Sequence, residues 1–239
     1  MCEGDDYWTD ENKLQKQVDF LNANPSYSIC FHPVVVHWYD NSQQDEIFPQ
    51  LSLTFHTNDL TINHLLKHNF IQTNSVVYRW RFDKTDSIRN VFPKDILPAD
   101  YMLHLLHAEK GNILMLDDVM AVYRRHTCGL WTGVGQTVNW FIRCGLKHIN
   151  FFVALEDRYQ KSYESEKNYF VEKLIYACLK LQRFDELEKL SQQYPEIYQK
   201  KIEIYQNNIQ LENKRHKPKK KRLRIKQIIK LFLENRKFR

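Results

Sequence analysis

Glu3-Gly4-Asp5-Asp6-Tyr7-Trp8 sets three carboxylates within four positions, beside two aromatic rings. Like charges this close repel and are costly to desolvate, so they persist together where a cation or a hydroxyl-rich ligand takes up their charge. The plain alternative is an acidic cap ahead of a helix starting near Asp10, which a surface loop supplies without any function. Gly4 lets backbone approach a ligand closely, and Tyr7 and Trp8 offer flat apolar walls. Any fold built on this chain has to leave the run solvated or give it a counter-ion.

Beyond the run, the spacing predicts a helix over Lys13–Asn22 with Leu14, Val18 and Leu21 on one face, ended at Asn24-Pro25. Ser28–Tyr39 is β-branched and aromatic and reads as one strand, with Pro33 implying an edge position or a bulge. Thr61–Asn69 reads as a short helix and Phe70–Phe82 as a strand. A helix follows over Ala99–Lys110, ended by Gly111, and then a strand over Ile113–Tyr123, in which Asp117-Asp118 reads as a turn. From Glu156 the texture changes to amphipathic helix, with a pair of helices over 168–208 broken at Pro195.

The hydrophobic content of 43% suffices for one sizeable core with a helical appendage. No apolar run approaches the length of a membrane-spanning helix, and the acidic start is the opposite of a secretory signal. Five cysteines, Cys2, Cys30, Cys128, Cys144 and Cys178, are scattered singly, which suggests neither a zinc ribbon nor a disulfide framework. The net charge of +6 is unevenly placed: Lys214–Arg239 holds 13 Lys and Arg against one Glu, and the rest holds 22 against 28 acids. A polybasic run followed by an amphipathic helix suits an anionic membrane surface. A solvated tail explains the same charge, and nucleic acid is not the expected partner because no nucleic-acid-binding motif accompanies it.

The acidic run, followed by Lys13-Leu14-Gln15-Lys16-Gln17-Val18-Asp19-Phe20-Leu21, resembles the metal-binding motif and following helix of inverting family 2 glycosyltransferases, which have the GT-A fold. The resemblance continues to about Trp131. It implies an α/β chain: a partial GT-A, nucleotide-diphospho-sugar-transferase-like mixed sheet with flanking helices over 1–150, a helical extension over 151–213, and a basic amphipathic tail over 214–239. In that family a nucleotide-binding half precedes the motif, so the chain resembles the second half of such an enzyme.

The resemblance also assigns roles. Glu3, Asp5 and Asp6 would hold a divalent metal, Mg²⁺ or Mn²⁺, with Asp6 the direct ligand and Asp5 also contacting the nucleotide; hard cations of this kind favour carboxylate oxygen. Asp100, where relatives carry an acid at a helix start, would be the base that deprotonates the acceptor. A dipole-favoured helix acid is the other reading of Asp100. Arg124, Arg125 and His126 would assist the leaving diphosphate, or the arginines pair with surface acids. The expected function is transfer of a sugar, with inversion, from a nucleotide-sugar donor to a glycan or lipid-linked acceptor in bacterial surface polysaccharide synthesis. The expected setting is cytoplasmic, peripheral at the inner face of the membrane. The alternative is a truncated, non-catalytic remnant or a membrane-associated interaction module.

Overall fold

The computed structural model describes residues 3–41, 43–50, 57–82, 88–126 and 137–204. The expected basic tail, Cys2, Cys128 and the Leu130-Trp131 end of the family resemblance lie outside these residues. The chain is a mixed α/β protein in two compact units, residues 1–94 with 98–134 and residues 95–97 with 135–239. The division near 134 precedes the boundary at 150 suggested by the sequence, because a helix starting at Val138 belongs to the second unit.

The first unit opens with strand β1 (Tyr7–Trp8) and helix α1 (Lys13–Ala23), followed by β2 (Tyr27–Phe31) and β3 (Val34–Trp38). Then come β4 (Glu46–Phe48), β5 (Asp59–Leu60), α2 (Ile62–Leu65), a 3₁₀ turn (Thr73–Ser75), β6 (Val77–Tyr78) and α3 (Ile88–Val91). Helix α4 (Ala99–Ala108) leads to β7 (Asn112–Met115) and β8 (Ala121–Arg125). The strands form two four-stranded mixed sheets, ordered β1-β8-β3-β4 and β5-β7-β2-β6. In each sheet the central pair is parallel, β3 with β8 and β2 with β7, and the outer strands are antiparallel.

The single strand expected over Ser28–Tyr39 is therefore two, and Pro33 stands at their junction rather than on an edge. Proline has no N–H for the ladder, so the chain leaves one sheet there and enters the next. The partner breaks at the same level, between Met115 and Ala121, which puts Asp117-Asp118 in the connection between two strands. Ser28 to Phe31 are all buried, as befits a central strand covered on both faces. The strand expected over Phe70–Phe82 shortens to Val77–Tyr78 behind the 3₁₀ turn, and the helix expected over Thr61–Asn69 shortens to Ile62–Leu65.

Helix α1 corrects the expected face. Its inward residues are Lys13, Gln17 and Leu21, whereas Leu14 and Val18 are 45% and 40% exposed. The polar pair is burial-competent because its groups are satisfied: Gln17 Nε2 donates to the carbonyls of Cys30 and Ser75, at 2.9 and 2.8 Å. Lys13 Nζ donates to Gln17 Oε1 at 2.8 Å and lies 4.6 Å from the centre of the Trp8 ring.

The second unit is helical: α5 (Val138–Tyr159), α6 (Glu164–Leu181), α7 (Phe184–Gln193), and a further helical stretch over 195–204. Thr137 caps α5 by accepting the Trp140 N–H. With no glycine after Gly145, Gln160 and Gln182 take the left-handed conformation that ends α5 and α6. The break at Gln182-Arg183 adds a helix boundary to the expected one at Pro195, which opens the last stretch, where its missing N–H costs nothing. A core of Trp140, Phe141, Ile149, Leu174, Cys178 and Leu187 with their neighbours fills the unit. Among the described residues no helix is long and apolar enough to cross a membrane.

Candidate functional site

The acidic run enters the first unit as β1, pairing antiparallel with β8 through Tyr7↔Val122 and Trp8↔Ala121. Each end of the run is tied down. The Asp6 N–H returns to the Glu3 carbonyl at 3.1 Å, which turns the chain and brings the carboxylates together, and the Thr9 N–H reaches the Met120 carbonyl at 3.0 Å. One carboxylate oxygen from each of Glu3, Asp5 and Asp6 lies within 4.8 Å of the other two. Gly4 has open space where a side chain would stand, so closeness of backbone to protein is not what requires it.

Strand β8 supplies the surroundings. The Arg124 N–H donates to Asp6 Oδ1 at 3.0 Å, the Arg124 Nε–H donates to the Asp5 carbonyl, and the guanidinium lies 6.0 Å from the Tyr7 ring. His126 Nε2 meets Asp5 Oδ2 at 2.9 Å. Arg124 and His126 thus come to the acidic run, two residues apart on one side of the strand. Arg125 points elsewhere: its guanidinium lies over Trp38 at 5.1 Å and over Tyr123 at 5.8 Å, and its Nε is buried without a hydrogen-bond partner.

The electrostatics follow from crowding. Burial, reinforced by the charges of Asp5 and Glu3 and opposed by the Arg124 N–H, raises the Asp6 carboxyl to about 6. Glu3, the most exposed of the three, is raised by desolvation, then by Asp5, then by Asp100. The last cause joins the two halves of the sequence: Asp100 is close enough for its charge to act on Glu3. Asp100 sits in the first turn of α4, where Oδ1 accepts the Tyr101 N–H at 2.8 Å and Oδ2 accepts the Thr73 hydroxyl at 3.1 Å.

Two of the residues that shape this site carried no sequence signal. Thr73 and Asn74 fall inside what reads as a strand, and nothing local marks them as contacts of Asp100 and β8. The Asn74 side chain donates to the Val122 carbonyl at 3.0 Å, and its own carbonyl accepts from the Trp8 indole at 2.9 Å. Farther along the same stretch, Arg79 binds the carbonyls of Tyr27 and Leu21, and Arg81 those of Pro25 and Lys110. His104 and His107, on α4 below Asp100, are buried against Tyr78, with the Tyr78 hydroxyl 2.5 Å from His104 Nδ1 and the Tyr78 ring stacked on His107.

Among the described residues, Glu3, Asp5 and Asp6 are the acidic group whose oxygens fit one small cation. The donor set is all carboxylate, matching a hard divalent ion rather than a thiol- or imidazole-seeking one. Burial and the two neighbouring carboxylates hold the Asp6 charge at a disadvantage. The second unit carries an open cleft of about 510 Å³ in which Lys167 pairs with Glu156 and Lys200 with Glu164.

No protein-family model matches the chain. Uncharacterized proteins of Mycobacterium bovis and of Mycobacterium tuberculosis are 50% identical to it over 131 residues, which is 55% of this chain and 35% of each relative. The chain therefore spans about a third of the length of the curated relatives it matches.

Proposed function

We propose that the first unit is the acceptor-side part of an inverting, metal-dependent glycosyltransferase of the GT-A kind, transferring a sugar from a nucleotide-sugar donor to a glycan or lipid-linked acceptor. The observation that carries this reading is the cluster of Glu3, Asp5 and Asp6 beside β8, with Asp100 tied through Thr73 and Asn74 to the same pair of strands across almost a hundred positions of sequence. A donor site and a base are the two things such a transfer requires.

Asp6 and Asp5, with Glu3, would hold Mg²⁺ or Mn²⁺, which when bound supplies Lewis-acid neutralisation of the leaving diphosphate. Arg124 and His126 steady Asp5, and Arg124 adds positive charge beside it, where negative charge accumulates as the glycosidic bond breaks. Asp100 takes the proton of the acceptor hydroxyl as that oxygen attacks the anomeric carbon from the face opposite the diphosphate, and configuration inverts. In this reading Arg125 is a packing residue between two rings rather than a diphosphate ligand. The basic segment 214–239 would draw the protein to an anionic membrane surface where lipid-linked acceptors lie.

The deciding experiment is a turnover assay with Mn²⁺ and a panel of nucleotide sugars, paired with calorimetric titration of nucleoside diphosphate. Metal-dependent turnover that disappears in Asp6→Ala and in Asp100→Asn, with the second variant still binding nucleotide, supports the reading. Undiminished turnover in both variants, or a folded protein that neither binds nor turns over any donor, overturns it in favour of a non-catalytic interaction module.

A further inference from the structure

We infer that Thr73 is the positioning residue of Asp100, and that the 3₁₀ turn it opens holds that carboxylate in register with the acidic run. The inference rests on the glycosyltransferase reading above for its consequence in catalysis, but its geometry stands apart from that reading.

Both oxygens of Asp100 are engaged. Oδ1 accepts the Tyr101 N–H at 2.8 Å and Oδ2 the Thr73 hydroxyl at 3.1 Å, so rotation about the side chain breaks one bond or the other. A carboxylate offers about four lone-pair sites, so capacity remains to take a proton from an acceptor hydroxyl. The Tyr101 bond is local to the helix and would form wherever α4 went. The Thr73 bond is the one that places the carboxylate relative to the rest of the site.

Thr73 can do this because its turn is anchored on every side. The turn is closed by the Ser75 N–H and hydroxyl, both reaching the Gln72 carbonyl, at 3.0 and 2.8 Å. Asn74 and Ser75 are buried. Asn74 binds Val122 of β8 through its side chain and the Trp8 indole through its carbonyl, and the Ser75 carbonyl accepts from Gln17 of α1. Val122 lies two residues before Arg124, whose N–H holds Asp6. Three consecutive residues therefore touch the base, the acidic strand, its partner strand and α1. A misplacement of the order of 1 Å between base and donor is enough to cost a large factor in rate.

The test uses the full chain with Thr73→Val, which keeps the shape and removes the hydroxyl, and Thr73→Ser, which restores it. Thr73→Val lowers kcat about tenfold, the size of one hydrogen bond converted to rate, and leaves the donor KM and Mn²⁺ affinity within about twofold. Thr73→Ser recovers most of kcat. A wild-type protein that turns over and a valine variant with the same kcat overturn the inference and leave the glycosyltransferase reading standing. Absence of wild-type turnover overturns that reading, and the Asp100 rotamer then decides the inference: three-bond NMR couplings show one χ1 state in the wild type and averaging in Thr73→Val. The same single rotamer in both proteins overturns it. Thr73→Ala takes the place of the valine variant in both measurements if that variant does not fold.

Discussion

The backbone N–H of Arg124 donates to Oδ1 of Asp6 at 3.0 Å, spanning 118 positions of sequence. It is the contact that most opposes the crowding of Asp6 by its own neighbours, and even so the Asp6 carboxyl stands at about 6. A charge held at such a disadvantage makes the site, and the fold around it, sensitive to substitution and to pH.

Asp6→Asn is expected to stabilise the metal-free protein and to abolish Mn²⁺ binding. Asparagine keeps an oxygen for the Arg124 N–H and removes the crowded charge. Because the folded value lies above the unfolded one, the penalty is present in full above about pH 6 and gone below the ordinary range near 3.8. Discounted for partial exposure, the gain is about 1 kcal/mol at pH 7, a rise of a few degrees in Tm. The two melting curves converge near pH 3.8. A lower Tm in the variant at pH 7, with Mn²⁺ still bound by calorimetry, contradicts this.

Stability as a whole should fall between pH 6.5 and 4. Burial holds His32, His104 and His107 at about 4, below the ordinary 6.5, so the unfolded chain binds protons there that the folded chain refuses. Their contribution is complete above 6.5 and is lost as pH drops towards 4. Asp6 and Glu3 act in the opposite sense over the lower part of this window, but three deeply placed imidazoles outweigh two partly solvated carboxyls. Each tenfold difference in proton affinity between the folded and unfolded chain is worth roughly 1.4 kcal/mol, so the three together lose several kcal/mol. Urea midpoints at pH 7, 6 and 5 check it, and equal midpoints would refute it.

Gly111→Ala is expected to cost about 2–3 kcal/mol. A Cβ there would lie 2.5 Å from the Ser26 carbonyl and 3.1 Å from the Ser28 nitrogen. The Ser26 oxygen already accepts the Asn112 N–H at 3.0 Å, at the start of the β2–β7 ladder, so backbone would have to retreat and weaken that pairing. The backbone at Gly111 is not left-handed, which makes the effect one of contact rather than conformational preference. Denaturant titration reads the change directly, and a difference below about 0.5 kcal/mol, the scatter of surface substitutions, is the contrary outcome.

In the helical unit, Leu174→Ala should cost about 2–5 kcal/mol. Leu174 is fully buried and packs against Gly145, whose missing side chain lets α6 approach α5; a Cβ at 145 would already meet Leu174 at 3.3 Å. Truncation leaves a cavity that two close helices cannot collapse to fill. Loss of helical circular dichroism at a lower temperature is the expected reading. An unchanged melting profile would count against the contact.

Local features are legible in the residues. Helix α1 begins at Lys13 and α4 at Ala99 as the sequence pattern predicts, and the acidic run announces its own charge. The inward face of α1 is not legible: apolarity points to Leu14 and Val18, but Lys13 and Gln17 go in. Their burial depends on acceptors and a ring supplied by Cys30, Ser75 and Trp8, and hydrophobic spacing contains no information about those. The start of helix α5 at Val138 escapes the spacing rules because its aromatic and apolar residues occur on several faces, as in a helix covered on more than one side. Pro33 is legible as an interruption, but whether it marks an edge or a passage between two sheets depends on the strand that pairs on its other side.

What the sequence determined alone, then, is what short-range physics decides: where most turns of helix begin, where a proline stops a ladder, and that three carboxylates share one stretch of backbone. The tertiary structure decided the neighbours. Antiparallel pairing of β1 with β8 brings Arg124 and His126 to Asp5 and Asp6, and the Thr73–Ser75 turn joins Asp100 to the same strands. Such pairings are set by long-range hydrogen bonds between segments that have no complementary local code, so only the folded chain reveals which acid sits beside which base.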